Sequence, residues 1–212
     1  MPRIVEVDPE RLPRWVENFG RRHGGEQRSI KDGVLRLAAP DGSVADIPSW
    51  CGDAGETVPR NRLAAVDDLL TWSDPPGRMG LVLVRRGGYA VGLGEGDRLV
   101  RHHCGTRYVQ SRTAAGGWSQ QRFARRRGNQ ADALVGSVVT RSHDILGEVT
   151  LDALVVGGDK SLVRQVLDDS RLARLATLPR RELYDLPDPR LVVLQKALRR
   201  GRAVRITLVE PD

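Results

Sequence analysis

The stretch L-V-L-V-R-R-G-G-Y-A-V-G-L-G-E-G-D-R-L-V, Leu81 to Val100, decides the fold class. Leu81–Val84 is apolar at every position, which is the pattern of a strand covered on both faces. Gly87-Gly88 turns the chain into a second apolar run, Tyr89–Leu93. G-E-G-D at Gly94–Asp97 turns it again into Arg98–Gln110. The pattern is a three-stranded meander. Downstream, Ala131, Leu134, Val135, Val138 and Val139 recur at helical spacing in a helix that starts near Ser119, a good N-cap residue. A buried strand at Leu151–Val156 follows, then a helix at Lys160–Leu167, a short strand at Leu172–Leu178, a helix at Pro189–Arg199 and an alternating strand at Ala203–Val209. The order β-β-β-α-β-α-(β)-α-β predicts an α/β sandwich built on a mixed sheet.

Upstream the pattern is different. Asp8 and Pro9 open a helix carrying Leu12, Trp15, Val16 and Phe19, and Gly24-Gly25 closes it. Two short strands are expected around Arg28–Ala38 and Val44–Ile47, joined by P-D-G at Pro40–Gly42, with a helix from Arg60 to Trp72. S-D-P-P-G at Ser73–Gly77 then breaks the chain. The expected organisation is a small α+β domain over residues 1–76 and an α/β domain over 77–212.

Charge is concentrated in one place. The chain of 212 residues has 34 Lys+Arg against 27 Asp+Glu, a net charge of +7, and all but three of its basic residues are arginine. Between Arg98 and Ala131 stand eight arginines and no carboxylate, so the rest of the chain sums to −1. A local excess of guanidinium is the footprint of a polyanion site, and nucleic acid is the commonest polyanion. An exposed arginine-rich helix face with no ligand would look the same from charge alone.

Several function classes are disfavoured. No apolar run reaches membrane-spanning length and no signal-peptide pattern follows Met1, so a cytoplasmic protein without a membrane partner is expected. Cys51 and Cys104 lack any C-x-x-C spacing, which argues against a disulfide framework and a structural zinc. In His102-His103-Cys104 alternate side chains leave on opposite faces of a strand, so no metal is expected there. G-G-D-K-S at Gly157–Ser161 lacks phosphate-loop spacing, and Asp159 reads as a helix cap.

Within the basic segment, R-T-A-A-G-G-W-S-Q-Q-R-F-A-R-R-R-G-N-Q runs from Arg112 to Gln130. Gly116-Gly117 permits a backbone closed to other residues. Gln120 and Gln121 fall at the mouth of a helix, and Arg122, Arg125 and Arg126 share one side of it with Arg127 adjacent. The segment offers an amide on a loop tip, backed by guanidinium groups that can hold phosphate.

G-G-W-S-Q at Gly116–Gln120, with its continuation Q-R-F-A-R-R-R-G-N-Q, resembles the glycine–glutamine loop of class-1 eukaryotic and archaeal release factors, in their middle domain. It resembles more closely the G-x-x-Q form, here Gly117 to Gln120, of the release-factor-like peptidyl-tRNA hydrolases of ribosome quality control and their stand-alone actinobacterial relatives. A-L-V-V-G-G-D-K at Ala153–Lys160 is similar to the segment that follows the loop-bearing helix in those domains. The resemblance spans Gly77 to Glu210. The Gly-Gly-Gln tripeptide itself is absent, because Trp118 and Ser119 separate Gly117 from Gln120.

The resemblance implies hydrolysis of the ester joining a nascent peptide to tRNA, on a stalled ribosome or large ribosomal subunit, by a monomer that needs no cofactor. It assigns the catalytic loop to Gln120, Gly117, Gly116 and Ser119. Arg112, Trp118, Gln121, Arg122, Arg125, Arg126 and Arg127 are then the RNA-binding residues, with Trp118 placed to stack on a base. Two other readings fit the same residues: cleavage of RNA near the tRNA 3′ end, and a ribosome- or RNA-binding module without catalysis.

Overall fold

The structure, a computed structural model, describes residues 1–50, 74–106 and 119–211, and the backbone alone at 31 and 119–129. It comprises two compact units, Met1–Pro76 with Arg199–Asp212, and Gly77–Leu198.

The first unit is a five-stranded sheet with one helix on its face. Strand β1 (Arg3–Val7) leads through a single 3-10 turn, Pro9–Arg11, into helix α1 (Leu12–His23). Asp8 takes the N-cap position and Pro9 the first position of that turn, as the sequence places them, although the Asp8 side chain makes no capping bond and the first turn is 3-10 rather than α. Gly24 ends it in the left-handed conformation (φ 80°) and returns its N–H to the Gly20 carbonyl. The expected strand at Arg28–Ala38 is two strands, β2 (Gln27–Lys31) and β3 (Val34–Ala38). Asp32 (φ 50°) and Gly33 (φ 75°) turn the chain between them, as an Asp-Gly hairpin does. Strand β4 (Val44–Pro48) follows. The expected helix at 60–72 and Cys51 lie outside the described residues.

The last strand, β10 (Val204–Val209), corrects the domain reading. Rather than completing the sheet of the 77–212 domain, it pairs antiparallel with β1 and β4. The order in the first sheet is β1-β10-β4-β3-β2, every pair antiparallel. Val204, Ile206 and Leu208 share a core with Leu12, Val16 and Phe19 of α1 and with Leu35, Leu37 and Ile47. Alternation fixes which face of a strand is buried, not which sheet it joins.

The second unit is a mixed sheet between helical layers. Strands β5 (Arg78–Arg85), β6 (Gly88–Glu95) and β7 (Arg98–Thr106) form the expected meander. After helix α2 (Ser119–Leu146), strand β8 (Ala153–Gly158) lies parallel to β5. Helix α3 (Lys160–Leu167) leads to β9 (Arg180–Leu183), parallel to β8, giving the order β7-β6-β5-β8-β9. Val82, Val84, Val91 and Leu93 pack under α2 and α3. On the opposite face helix α5 (Leu191–Arg202) comes so close that a Cβ on Gly94 would stand 2.5 Å from Leu198.

The predicted strand at Leu172–Leu178 is instead a 3-10 turn, Ser170–Leu172, followed by the four-residue helix α4 (Ala173–Ala176). Asp169 Oδ1 accepts the Arg171 N–H at 3.0 Å and starts the turn. Leu172 and Leu175 are the buried pair, a spacing of three that suits a helix and not a strand. No described helix is long and apolar enough to cross a membrane.

Candidate nucleic-acid interface

The end of β7 delivers the chain to the G-x-x-Q segment. Its backbone position is fixed by glycine contacts. A Cβ on Gly105 would fall 2.5 Å from the Tyr89 ring, and one on Gly88 would fall 2.7 Å from the Gly105 carbonyl. The Tyr89 ring also stands 5.7 Å from that of His103. Thr106 closes the strand opposite Gly88. Arg112, Gly116, Gly117 and Trp118 lie outside the described residues.

Helix α2 begins at Ser119 and runs unbroken for 28 residues, so Gln120 and Gln121 stand in its first turn. Arg122, Arg125, Arg126 and Arg127 follow in its next two turns, with positions 122, 125 and 126 along one side of the backbone. The helix is held by Leu134, Val138, Val139 and Leu146, each fully buried against the sheet. Its C-terminal end is pinned beside the start of β5, where a Cβ on Gly80 would meet Leu146 at 3.2 Å. Gly147 then terminates it, donating its N–H to the His143 carbonyl at 2.8 Å.

Lengths decide where the other end goes. At 1.5 Å per residue α2 is about 42 Å long, whereas an eight-residue strand spans about 27 Å. With Leu146 at the start of β5, the helix overshoots the sheet at the end where β7 finishes. Gln120 is therefore carried beyond the sheet on an arm rooted in the core.

The strand beside this arm is basic and open. Among the described residues β7 is an edge strand paired to β6 alone, and Arg98, Arg101 and His102 are exposed along it. Among the described residues neither arginine has a carboxylate partner. Other arginines of the unit do: Arg78 meets Glu95 at 3.3 Å, Arg85 meets Asp188 at 3.7 Å and Arg171 meets Asp169 at 2.9 Å. Arg98 and Arg101 belong to the same acid-free run as the helix arginines, and sequence reasoning counted their charge without placing them in the site. The edge position that exposes them follows from sheet order, which the residue pattern does not encode. Partial burial pushes the Cys104 thiol up, away from thiolate chemistry. No described group of three or more His, Cys, Asp and Glu residues is placed to hold a metal.

The Gly157-Gly158-Asp159 turn has a packing explanation. A Cβ on Gly157 would lie 2.5 Å from the Leu183 carbonyl, and one on Gly158 (φ +100°) would lie 2.1 Å from that of Val84. Asp159 caps α3 as expected, accepting from Ser161 N at 3.0 Å and Leu162 N at 3.3 Å.

Residues 77–207 match a protein-family model described as the Actinobacteria/chloroflexi VLRF1 release factor. No curated protein sequence matches the chain. Among solved structures, the Vms1 mitochondrial localization core is 12% identical with a TM-score of 0.47, over 94% of this chain and 84% of that one. The archaeal translation termination factor aRF1 is 14% identical with a TM-score of 0.38, over 92% of this chain and 62% of its own length.

Proposed function

Because the chain belongs to the Actinobacteria/chloroflexi VLRF1 release factor family, we propose that it hydrolyses the ester between a nascent peptide and tRNA on stalled ribosomal complexes. The observation that carries this reading is the position of Gln120. It keeps the G-x-x-Q spacing and stands in the first turn of a core-anchored helix, inside an acid-free stretch of eight arginines. Such an arm suits insertion of a neutral polar group into a site made of RNA, with guanidinium groups on the phosphates behind it.

The chemistry follows from what an amide can do. Glutamine does not titrate near neutral pH, so it is not the general base. Its carbonyl orients a water, and an N–H from its side chain or backbone stabilises the developing oxyanion. Water adds to the ester carbonyl, the acyl–oxygen bond breaks, and the water's proton ends on the ribose oxygen of the departing tRNA. The products are a free peptide carboxyl group and intact tRNA. One oxyanion donor is worth ~3–4 kcal/mol, so RNA groups at the site supply the remaining rate enhancement.

Gln120→Ala is expected to lower peptide release from peptidyl-tRNA on large subunits by at least about a hundredfold. Gln121→Ala is expected to do much less. Release by Gln120→Ala at the wild-type rate refutes the assignment. Sizing the tRNA product separates the rival readings: a shortened tRNA means RNA cleavage, and cosedimentation with ribosomes without product means a binding module.

A further inference from the structure

Sequence reasoning left the G-D-K-S turn with a structural explanation only, yet the turn opens onto a cleft of about 570 Å³ between α3 and β9. Its apolar lining includes Val156, Val163 and Leu167, which are buried beneath the polar side chains. Its rim is charged on both sides. Lys160 and Arg164, one helical turn apart on α3, face Arg180 and Glu182 on β9. Tyr184 and Asp168 also line the cleft, and Lys160 Nζ stands 5.6 Å from the Tyr184 ring centroid.

The cations of the cleft are not matched by its carboxylates. Among the described residues Lys160, Arg164 and Arg180 have no ion-pair partner, although two carboxylates line the same cleft. Some arginines elsewhere in this protein are matched, as Arg36 is by Asp46 and Arg200 by Glu6, each at 2.7 Å, and others, such as Arg98 and Arg101, are not; what distinguishes these three cations is that they line one cleft. Three cations without a carboxylate partner around one cavity favour an anion, and guanidinium favours phosphate. Glu182 and Asp168 would repel a bare anion. They are well suited to a ligand that carries hydroxyl donors beside its phosphate, as a carboxylate accepts from a ribose hydroxyl. The apolar lining then has a partner in a base, and the volume falls in the range of small-molecule sites.

We propose that this cleft binds a nucleoside phosphate, with the phosphate on Lys160, Arg164 and Arg180, the ribose hydroxyls on Glu182 and the base over Val156, Val163 and Leu167. The ligand is either a free nucleotide or one nucleotide of an RNA strand. Its residues belong to α3 and β9 rather than to the G-x-x-Q segment, and its test does not involve peptide release.

Calorimetric titration of the whole protein decides it, using each of the four nucleoside 5′-monophosphates, adenosine and inorganic phosphate. At least one monophosphate is expected to bind at least about tenfold more tightly than adenosine or phosphate. Lys160→Ala and Arg164→Ala, both exposed positions, should each weaken it about tenfold or more. Glu182→Gln should narrow the preference for a ribonucleotide over its 2′-deoxy form, whereas at a plain anion site it would strengthen every ligand alike. A ribo-tetranucleotide identifies the source. Tighter binding than the monophosphate, with the same weakening in Arg164→Ala, means an RNA strand; weaker binding means a free nucleotide. Absence of binding by every nucleotide at millimolar concentration overturns the proposal. So does phosphate binding as tightly as the monophosphates, or binding that Lys160→Ala and Arg164→Ala leave unchanged.

Discussion

Gly158 has no freedom to change. Its φ of +100° is costly for any side chain, and an added Cβ would stand 2.1 Å from the Val84 carbonyl, a backbone atom that cannot yield. Gly158→Ala is expected to cost about 3 kcal/mol or more in urea unfolding, combining backbone strain with overpacking. Gly105→Ala should cost less, about 1–3 kcal/mol, because the obstacle there is the Tyr89 ring and a ring can shift. Asp169 provides a pH test. The Arg171 side-chain hydrogen bond, then the Arg171 backbone N–H, holds its carboxyl down at about 2. Depressed below the usual carboxylate value of about 3.9, this group stabilises the fold above that pH, and the contribution is lost as pH falls through about 2. Carbon-detected NMR should show Asp169 titrating near 2, and Arg171→Ala should move the midpoint back up; an unmoved midpoint would mean the pair does not set it.

Among the elements, those whose period and covering agree were legible in the sequence. Leu81–Val84 reads as a strand covered on both faces and Tyr89–Leu93 as its neighbour in the meander, and both strands are buried on both faces. Helix α2 announced both its start at Ser119 and its core positions at Leu134, Val138 and Val139. β9 was missed because its four residues are R-R-E-L, which no hydrophobic pattern marks, and Arg181 is buried within it. β1 was missed as a short edge strand with little buried surface. The candidate site was legible as a spacing and a charge, G-x-x-Q and eight arginines, but not as an arm, since that depends on where Leu146 is pinned. If α2 carries its guanidinium groups to phosphate, changing Arg122, Arg125 and Arg126 to Ala should flatten the plot of log affinity for RNA against log salt. The slope is expected to fall by about 0.7–0.9 for each phosphate no longer neutralised, and an unchanged slope would leave the stripe a solvated face.

At the scale of the whole molecule, the break at Ser73–Gly77 was legible but the destination of the last strand was not. V-R-I-T-L-V at Val204–Val209 alternates cleanly, which specifies a buried face and leaves the neighbour open. Ile206 is fully buried in the core of the first unit. Ile206→Ala should cost about 2–4 kcal/mol. Hydrogen exchange should show the reduced protection in β1, β3 and β4 rather than in β5 and β8; faster exchange in β5 and β8 instead would contradict the assignment of β10 to the first sheet. That assignment also dictates an order of events. β10 lies second in a sheet whose edge strand, β1, is the first element of the chain, and every residue of the mixed sheet is inserted between them. As the polypeptide is synthesised from its N-terminus, β5 to β9 emerge complete before β10 exists. The inserted unit can reach its native contacts early. β2, β3 and β4 can pair with one another meanwhile, but β1 must wait unpaired until Val204–Val209 has been made.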